Sequence, residues 1–338
     1  MNQYGVAVHG AGWVAAEHVR AFDADSRARV VAISSRSKSS AIRLAQETGQ
    51  TDAVIETELD PVLARGDVDV LAVCTPHDLH PANVIAAAEA GKHVLIEKPA
   101  ALDLAGLRAM RNALSVAGVV SVVGFVLRWN PLFDVIKAQQ ANGALGDIYM
   151  AEVDYVHGLG PWYDQHKWSR TLAQGRSSFL NAGCHAVDAL RYFTESDVVE
   201  VSAYTVAGSE RFEYPGTAVM ICKFSNGAIG KSLSNLDDRA PYKFRISLYG
   251  DRGTMLDNRV HSQTVVGQTD YATIPTVLPD SGDVSHHPFQ GEVSHLLDCI
   301  ERGDESPVSL ANSVNTHEAC IAADISAVEG RPVELPLP

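Results

Sequence analysis

Short apolar runs alternate with helical patterns through the first third of this 338-residue chain. This alternation is typical of a parallel sheet, because each parallel strand needs a crossover, usually a helix, before the next strand. Glycines follow two of the helical patterns, at Gly91 and Gly118, where helices commonly end. The strand-like runs are Tyr4–His9, Val30–Ser34, Val68–Cys74, Val94–Ile96 and Val119–Phe125. We therefore expect a doubly wound α/β domain at the start of the chain.

The pattern changes near residue 125. From Val198 to Leu278 strand follows strand with turn residues between them, and two helical stretches, Phe289–Arg302 and Ser309–Ala327, close the chain. Consecutive strands without intervening helices indicate an antiparallel sheet. We predict two domains, residues 1–124 and residues 125–338, the second of α+β type.

Charge and composition exclude several classes of protein. Lys and Arg total 27 against 41 Asp and Glu, a formal net charge of −14, which repels nucleic acid and anionic membranes. No apolar run approaches the ~18 residues of a membrane span. The five cysteines are odd in number and form no C-x-x-C pair, which is typical of reduced thiols. We expect a cytoplasmic protein that binds neither nucleic acid nor membrane.

A glycine-rich turn directly follows the first predicted strand. Residues 10–15, Gly-Ala-Gly-Trp-Val-Ala, fit the pattern G-x-G-x-x-[GA]. Such glycines let the backbone approach a pyrophosphate, which the amides of the next helix bind. A purely structural turn is the alternative. The pattern predicts dinucleotide binding, with Gly10, Gly12, Trp13 and Val14 at the cofactor.

The end of the second strand usually distinguishes NAD from NADP. NAD binders place an acid there for the ribose hydroxyls, whereas residues 33–38 of this chain read Ile-Ser-Ser-Arg-Ser-Lys. Ser35 and Arg36 suit the 2′-phosphate of NADP, because a guanidinium makes charge-assisted bonds to phosphate. The sequence favours NADP over NAD. The alternative is a solvated basic turn.

Lys98 stands in the tripeptide Glu97-Lys98-Pro99, directly after an apolar run. The carboxyl end of a buried strand is where an α/β protein places charge against a ligand. A surface lysine after a strand is the alternative. A second turn, residues 74–77, ends another apolar run in the same way. We interpret Lys98 as a candidate catalytic residue.

Asn181, His185 and Asp188 are spaced i, i+4 and i+7. If the segment is helical, all three project from one face. Histidine titrates near neutral pH and can accept a proton from an alcohol as hydride leaves, while Asp188 could orient the ring. A structural helical histidine is the alternative, and the presence of Lys98 favours the catalytic interpretation.

The loop between residues 156 and 178 is rich in groups that stack on sugar rings or bind hydroxyls and anions. A domain-interface patch is an equally good interpretation. The groups are Trp162, Tyr163, His166, Lys167, Trp168, Arg170 and Arg176. Other histidines, including His286 and His287, lack the carboxylate or cysteine company of a metal site, and no metal is expected. No G-x-S-x-G elbow is present, which disfavours a serine hydrolase.

In this order the motifs resemble the glucose-fructose oxidoreductase, inositol dehydrogenase and rhizopine-catabolism (Gfo/Idh/MocA) family. The resemblance spans nearly the whole chain. It rests on the glycine turn, Thr75-Pro76 with His80, residues 90–99, Gly124-Phe125 through Arg128 and Pro131, Leu145-Gly146, Gly183 with His185 and Asp188, and Val333-Glu334-Leu335.

The resemblance implies a Rossmann domain followed by an α+β domain with a large open, mostly antiparallel sheet, whose exposed face builds homodimers or homotetramers. It implies a cis bond before Pro99, a lysine at 98 that contacts cofactor and substrate, and His185 as acid/base. Further cofactor contacts are expected at Thr75, Pro76, His77, His80 and Glu97. Substrate contacts are expected at Lys98, Arg128, Trp162, Trp168, Arg176, Asn181 and His185.

Two departures from the family pattern matter. Many relatives have Asp where this chain has Asn181, and an amide cannot take up a proton as a carboxylate can, which leaves His185 as the acid/base. Arg176 replaces a glycine of the family's glycine triplet and adds a cation, which makes an acidic substrate one option.

The predicted function is transfer of a hydride between a nicotinamide cofactor and a secondary alcohol or ketone of a sugar, cyclitol or sugar acid, with Lys98 and His185 as the catalytic pair. One alternative is a non-catalytic dinucleotide-binding sensor of the same fold, which retention of both residues disfavours. Another is a glycosidase that uses bound nicotinamide for transient oxidation. Net turnover of cofactor would separate it from a dehydrogenase.

Overall fold

The computed structural model describes residues 3–159, 164–279 and 287–338, and the chain divides into two compact units. The first unit comprises Met1–Gly124 and Pro288–Val314, and the second comprises Phe125–His287 and Asn315–Pro338. The sequence predicted the change at residue 125, but it assigned residues 288–314 to the second domain. No helix in the described residues is long and apolar enough to cross a membrane.

The first unit is built on a six-stranded sheet in which all strands are parallel. The strands are β1 (Tyr4–His9), β2 (Ala28–Ser34), β3 (Val54–Glu56), β4 (Val70–Val73), β5 (His93–Ile96) and β6 (Ser121–Val123). Their order is β3-β2-β1-β4-β5-β6, which is the order of a Rossmann fold. The predicted parallel sheet is confirmed. The sequence missed only β3, a half-buried edge strand of three residues.

Helices connect these strands: α1 (Trp13–Asp23), α2 (Lys38–Glu47), α3 (Asp60–Leu63), α4 (His80–Glu89) and α5 (Leu104–Ala117). The last of them shows how local sequence sets the bounds. At the start of α5 the carboxylate of Asp103 accepts a hydrogen bond from the backbone amide of Gly106, 2.7 Å long. At its end Gly118 caps the helix with φ 66°. A left-handed residue after a helix favours glycine, because glycine has no Cβ.

A later helix, α8 (Phe289–Arg302), also belongs to the first unit. Its Phe289 ring meets the His18 ring of α1 edge to face, with centroids 5.1 Å apart. At its other end Asp298 accepts a hydrogen bond from Arg27, 2.7 Å long. The amphipathic pattern of α8 predicts a helix with one buried face, but it does not say which unit buries that face.

The second unit is built on a nine-stranded sheet of order β14-β13-β12-β11-β7-β10-β9-β8-β15. Its strands are β7 (Ile148–Val156), β8 (Val198–Val206), β9 (Thr217–Phe224), β10 (Ile229–Asn235), β11 (Lys243–Gly250), β12 (Gly253–Leu256), β13 (Arg259–Ser262), β14 (Ala272–Thr273) and β15 (Val333–Glu334). Every pairing is antiparallel except that of β7 with β10. The predicted mostly antiparallel sheet is confirmed.

The two faces of this sheet differ. In β9, Met220, Cys222 and Phe224 are buried, whereas the alternate residues Ile221 and Lys223 are exposed. The helices of this unit are α6 (Pro131–Ala141), α7 (Cys184–Thr194) and α9 (Leu310–Glu329), the last from Asn315 onward. Among them α7 packs on β7 and β10. All five cysteines of the chain are buried thiols, as expected.

Candidate active site

The glycine turn between β1 and α1 has the geometry of an anion site. Gly10 has φ 116°, and a Cβ there would collide with the carbonyl oxygen of Cys74. Gly12 is the N-cap of α1, and a Cβ there would meet nothing within 4 Å. No side chain caps α1, and its first turn contains no acid. The helix amides and the positive end of the dipole therefore fit a pyrophosphate.

The end of β2 carries no acid. Ser34 is buried with its Oγ 2.8 Å from Nδ1 of His9, and burial lowers the pKa of His9 to about 4, so that this ring is neutral at pH 7. Arg36 is exposed two residues after the end of the strand. The nearest acid by strand register is Glu56 on β3, which pairs with Ser34. The sequence analysis did not identify Glu56 because it did not predict strand β3. The assignment of Ser35 and Arg36 to a 2′-phosphate stays a prediction.

His80 joins the loops that follow β4 and β5. Its Nδ1 lies 2.9 Å from the carbonyl oxygen of Pro99, and its Nε2 lies 2.9 Å from that of Thr75. Burial lowers the pKa of this histidine. The hydroxyl of Thr75 accepts a further bond from the amide of Asn83, 3.0 Å long. The ring of His77 is buried against that of His80, with centroids 5.6 Å apart. Both ring nitrogens of His80 thus contact backbone carbonyl oxygens of the protein. Cofactor contacts at Thr75, His77 and His80 remain predictions.

Lys98 is half-buried at the same carboxyl edge of the sheet, and the Lys98–Pro99 bond is cis, as the resemblance implies. The backbone amide of Lys98 donates to Oε2 of Glu97 over 3.1 Å. The other carboxylate oxygen of Glu97 accepts a bond from Nε2 of His18, 2.6 Å long. Each carboxylate oxygen of Glu97 therefore accepts a hydrogen bond within the first unit, which explains the burial of this side chain. Cofactor contact by Glu97 remains a prediction.

The segment of Asn181, His185 and Asp188 departs from a regular α-helix. Residues Phe179–Gly183 form a π-helical turn, and α7 begins only at Cys184. Gly183 lies so close to β10 that a Cβ would approach Cβ of Ser234 to 2.6 Å. π-Helical turns are rare and often occur at functional sites. The i, i+4, i+7 spacing therefore does not place the three side chains on one face of a single helix.

Asp188 does not orient the ring of His185, so that prediction was wrong. Its two carboxylate oxygens accept bonds from Nε and Nη2 of Arg128, each 2.7 Å long. The side chain of Asp188 is 2% exposed and that of Arg128 12%, and the guanidinium also lies 4.6 Å from the centroid of the Tyr192 ring. This is a buried, bidentate ion pair. It accounts for both residues, while substrate contact by Arg128 remains untested.

His185 lies in an aromatic cluster of the second unit. The Tyr155 ring is nearly parallel to it at 6.0 Å, and Phe125 and His287 approach edge-on at 6.0 and 6.4 Å. His157 and Tyr242 extend the cluster, with His157 Nδ1 3.2 Å from the hydroxyl of Tyr155. The sequence analysis missed these neighbours. The two-residue spacing of Tyr155 and His157 was an available signal, since it places both on one face of β7 and its continuation.

Asn181 is held by a small polar network rather than exposed. Its amide donates to the hydroxyl of Tyr214 over 2.8 Å and to the carbonyl of Ser169 over 3.3 Å, and Tyr214 itself donates to that carbonyl over 2.7 Å. Burial raises the pKa of Tyr214. The network fastens the loop before α7, so that Asn181 has a structural role whether or not it touches substrate.

Two of the remaining predicted substrate residues, Trp168 and Arg176, are described by the structure, and Trp168 lies in a 3-10 helical segment, Asp164–Arg170. Trp168 is half-buried, with its ring 6.2 Å from that of His166. Arg176 is exposed with φ 67°. Its charge acts on Asp324, whose pKa burial raises to about 7 while Ser177 and Arg176 oppose the rise. Trp162 and Tyr163 lie outside the described residues.

Comparisons with known proteins identify the two domains of the chain. The NAD-binding Rossmann-fold model of the Gfo/Idh/MocA oxidoreductase family matches residues 4–125, and the family's C-terminal domain model matches residues 133–256. The scyllo-inositol 2-dehydrogenase (NAD(+)) of Bacillus subtilis (strain 168) is 24% identical over 315 residues, which cover 91% of this chain and 89% of the relative. The D-xylose 1-dehydrogenase (NADP(+)) 2 of Haloferax volcanii is 26% identical over 312 residues, 92% of this chain and 93% of the relative.

A solved structure shares the fold. An oxidoreductase from Agrobacterium radiobacter, in complex with NAD+, L-tartaric acid and magnesium, superposes with a TM-score of 0.87 at 21% identity and covers 98% of both chains. The family models together account for most of the chain, and they cover the first sheet and strands β7 to β12 of the second. The chain therefore belongs to the Gfo/Idh/MocA family of NAD-binding oxidoreductases.

Proposed function

We propose that this oxidoreductase transfers a hydride between a nicotinamide cofactor and a secondary alcohol or ketone of a sugar, cyclitol or sugar acid. The main support is the carboxyl edge of the parallel sheet, where an open glycine turn adjoins a lysine whose backbone is held on both sides. Glu97 holds the amide of Lys98, and His80 contacts the carbonyl of Pro99. The names of the relatives, which include inositol and xylose dehydrogenases, support the substrate class.

Each proposed catalytic residue has one role. Bound nicotinamide supplies or accepts the hydride. The ammonium of Lys98 stabilises the alkoxide that develops as hydride leaves the carbinol carbon. His185 accepts the hydroxyl proton, since the amide of Asn181 cannot. In the direction of reduction the same two groups stabilise and protonate the alkoxide.

A substrate screen tests the proposal. Purified protein is incubated with inositols, aldoses and sugar acids, each with NAD+ and with NADP+, and reduced nicotinamide is followed by its absorbance. We expect net cofactor reduction with at least one secondary alcohol of these classes. Cleavage of glycosides without net reduction would favour the glycosidase alternative, and no turnover with any class would contradict the proposal.

We further propose that NADP is the preferred cofactor, on the basis of Ser35 and Arg36. Arg36→Ala should weaken NADP binding by about 1–3 kcal/mol, the scale of a hydrogen bond to a charged group, while NAD binding stays nearly unchanged. Titration of both cofactors by fluorescence measures this. Glu56→Gln is the matched control, because it removes the acid nearest to Ser34 by register. Equal losses for both cofactors in Arg36→Ala, or a selective loss of NAD in Glu56→Gln, would contradict the preference.

We also propose a homo-oligomer assembled through the exposed face of the second sheet. Along β8, β9 and β10 the outward positions carry apolar side chains that remain exposed. They are Tyr204, Val206, Val219, Ile221 and Ile229. Exposed apolar side chains grouped on one face of a sheet often mark an interaction site, and a second copy is the simplest partner because symmetric homo-oligomers predominate among soluble assemblies.

Ile221→Lys should weaken this assembly by about tenfold or more, because a central interface side chain often contributes over ~1 kcal/mol. Ile221 is 59% exposed in the single chain. Light scattering across a concentration series measures the mass, and Val116→Lys, at an 82% exposed valine of α5, is the control. A wild-type particle of 36.2 kDa at micromolar concentration would rule out the assembly.

A further inference from the structure

Three ionisable side chains are buried together in the first unit: His18 on α1, Glu97 after β5, and Glu292 on α8. His18 and Glu292 are each 0% exposed, and Glu97 is 9% exposed. Burying an ionisable group is costly unless another group pairs with it. The cluster lies beside the glycine turn and Lys98, yet none of the proposed catalytic steps uses His18 or Glu292.

A continuous chain of hydrogen bonds joins His18 to the backbone of Lys98. Nε2 of His18 donates to Oε1 of Glu97 over 2.6 Å, and Oε2 of the same carboxylate accepts the amide of Lys98 over 3.1 Å. The 2.6 Å distance is short even for a charge-assisted bond. The position of the Lys98 backbone thus depends on a carboxylate whose other oxygen is held by His18.

His18 itself has little freedom to move. It lies on α1, the helix that the glycine turn begins, and its ring packs edge-on against Phe289, 5.1 Å between centroids. Phe289 precedes Glu292 by three residues on α8, so that both side chains lie on one side of that helix. A ring with no exposed surface and an aromatic neighbour is held in one orientation.

The two carboxyls of the cluster differ in charge. Burial alone would raise the pKa of Glu97, but the bond from His18 and the charges of His18, Lys98 and His80 outweigh it and lower the pKa. Burial and the neighbouring Glu97 raise the pKa of Glu292 well above its usual value. Cys74 directly follows β4, and burial together with the charges of both carboxyls raises the pKa of its thiol. We therefore assign the ionised form to Glu97, which accepts hydrogen bonds on both oxygens, and the neutral form to Glu292.

We propose that His18 is a positioning residue for Lys98: by donating to Glu97 it keeps that carboxylate ionised and in place, so that the carboxylate can hold the Lys98 backbone. This inference rests on the proposed function of Lys98. The chain offers a matched control for it, since Glu97 and Glu292 are two carboxyls of one cluster that the same substitution affects differently. Glu97→Gln removes the charge that the inference needs, whereas Glu292→Gln resembles the neutral group already present.

The charge assignment is tested without any ligand. Infrared difference spectra of the protein are recorded across pH, and protonated carboxyl bands are assigned by comparing variants, because Asp324, with a pKa of about 7, also contributes. A protonated band at neutral pH should vanish in Glu292→Gln and persist in Glu97→Gln. In His18→Phe the midpoint at which Glu97 becomes protonated should rise by about one to three pH units, the scale of losing a close favourable partner. The protonated band of Glu97 should therefore appear at a higher pH than in the wild type. His18→Gln keeps a neutral donor and should shift it less.

Stability gives a second readout that needs no ligand. The pKa of Glu292 is raised in the folded protein, whereas in the unfolded chain this carboxyl ionises above pH about 4.5, its usual value. Keeping Glu292 protonated in the folded state therefore lowers the free energy of unfolding progressively as pH rises above that value, and glutamine carries no such cost. Glu292→Gln should therefore raise the melting temperature at pH 8 more than at pH 4.5. Glu97→Gln should lower the melting temperature at pH 8. If the two variants exchange these behaviours, the charge assignment is reversed and the inference fails.

Positioning is tested with NADPH and NADH as probes and, where the screen yields a substrate, with turnover. In His18→Phe the acid limb of the turnover profile should move to higher pH with a loss in kcat larger than the change in KM, and His18→Gln should recover part of the loss. Glu292→Gln should behave as wild type in binding and turnover. If folded His18 variants keep the wild-type acid limb and bind both probes normally, the ring is merely structural and the inference is wrong. If neither His18 variant folds, the same two measurements, the acid limb of the turnover profile and the binding of NADPH and NADH, are made on Glu97→Gln. A wild-type result for both would contradict the inference.

Discussion

Lys98→Met and His185→Ala are each expected to lower turnover of the identified substrate by about 10²–10⁴-fold, the usual contribution of general acid–base catalysis. Lys98→Met loses the positive charge that stabilises the developing alkoxide, and it should also weaken cofactor binding. His185→Ala loses the proton acceptor and should leave cofactor binding nearly unchanged. Steady-state turnover and cofactor titration on the folded variants measure both effects.

Matched controls separate these roles from general damage. Lys92→Met changes the lysine that precedes β5, at the opposite end of the strand from Lys98, where its ammonium donates to the carbonyls of Arg65 and Val68. His261→Ala changes a histidine on β13. Both controls should keep turnover within about threefold of wild type. If Lys98→Met and His185→Ala also stay within that range while folded and able to bind cofactor, the proposed mechanism is wrong.

Asp188→Ala is expected to destabilise the second unit by about 3–5 kcal/mol, because it leaves the buried guanidinium of Arg128 without the carboxylate that accepts two of its hydrogen bonds. Urea unfolding measures the loss. Because the two units need not unfold in a single step, urea unfolding alone does not identify the unit that is destabilised. Hydrogen exchange of the segments around α7 and β7 should therefore be measured as well, and it should be faster in Asp188→Ala than in the wild type.

The double variant Arg128→Met with Asp188→Leu is the informative comparison. Replacing both members of a buried ion pair by apolar residues is often close to neutral, because no charge remains without a partner. The double variant should therefore be more stable than Asp188→Leu alone. The cycle completed with the single variants Arg128→Met and Asp188→Leu should give a coupling free energy of at least ~1 kcal/mol. A loss of less than ~1 kcal/mol in Asp188→Ala would show that the pair contributes little.

The secondary structure of this protein could be predicted largely from local sequence. Strand β1 and helix α8 begin and end at the predicted residues, Tyr4–His9 and Phe289–Arg302. The reason is that apolar spacing, glycine stops and turn residues act over a few neighbouring positions. The edge strand β3 was missed because three half-buried residues carry too little pattern.

Parts of the site were equally local. The glycine turn requires Gly10 because its φ is 116° and a Cβ would collide with the backbone, and such a requirement can be read from the glycine itself. Lys98 follows a buried strand, which places it at the carboxyl edge of any parallel sheet. The sequence alone therefore determined the fold class, the dinucleotide turn and the position of Lys98 relative to the strand.

Only the tertiary structure decided which side chains meet. The sequence paired Asp188 with His185, three residues before it, but the carboxylate binds Arg128, sixty positions away in the chain. It assigned α8 to the second domain, but α8 packs on α1 and brings Phe289 and Glu292 to His18 and Glu97. These contacts join residues far apart in the chain, and they are selected by which buried faces and charges fit together, a choice that no local periodicity records.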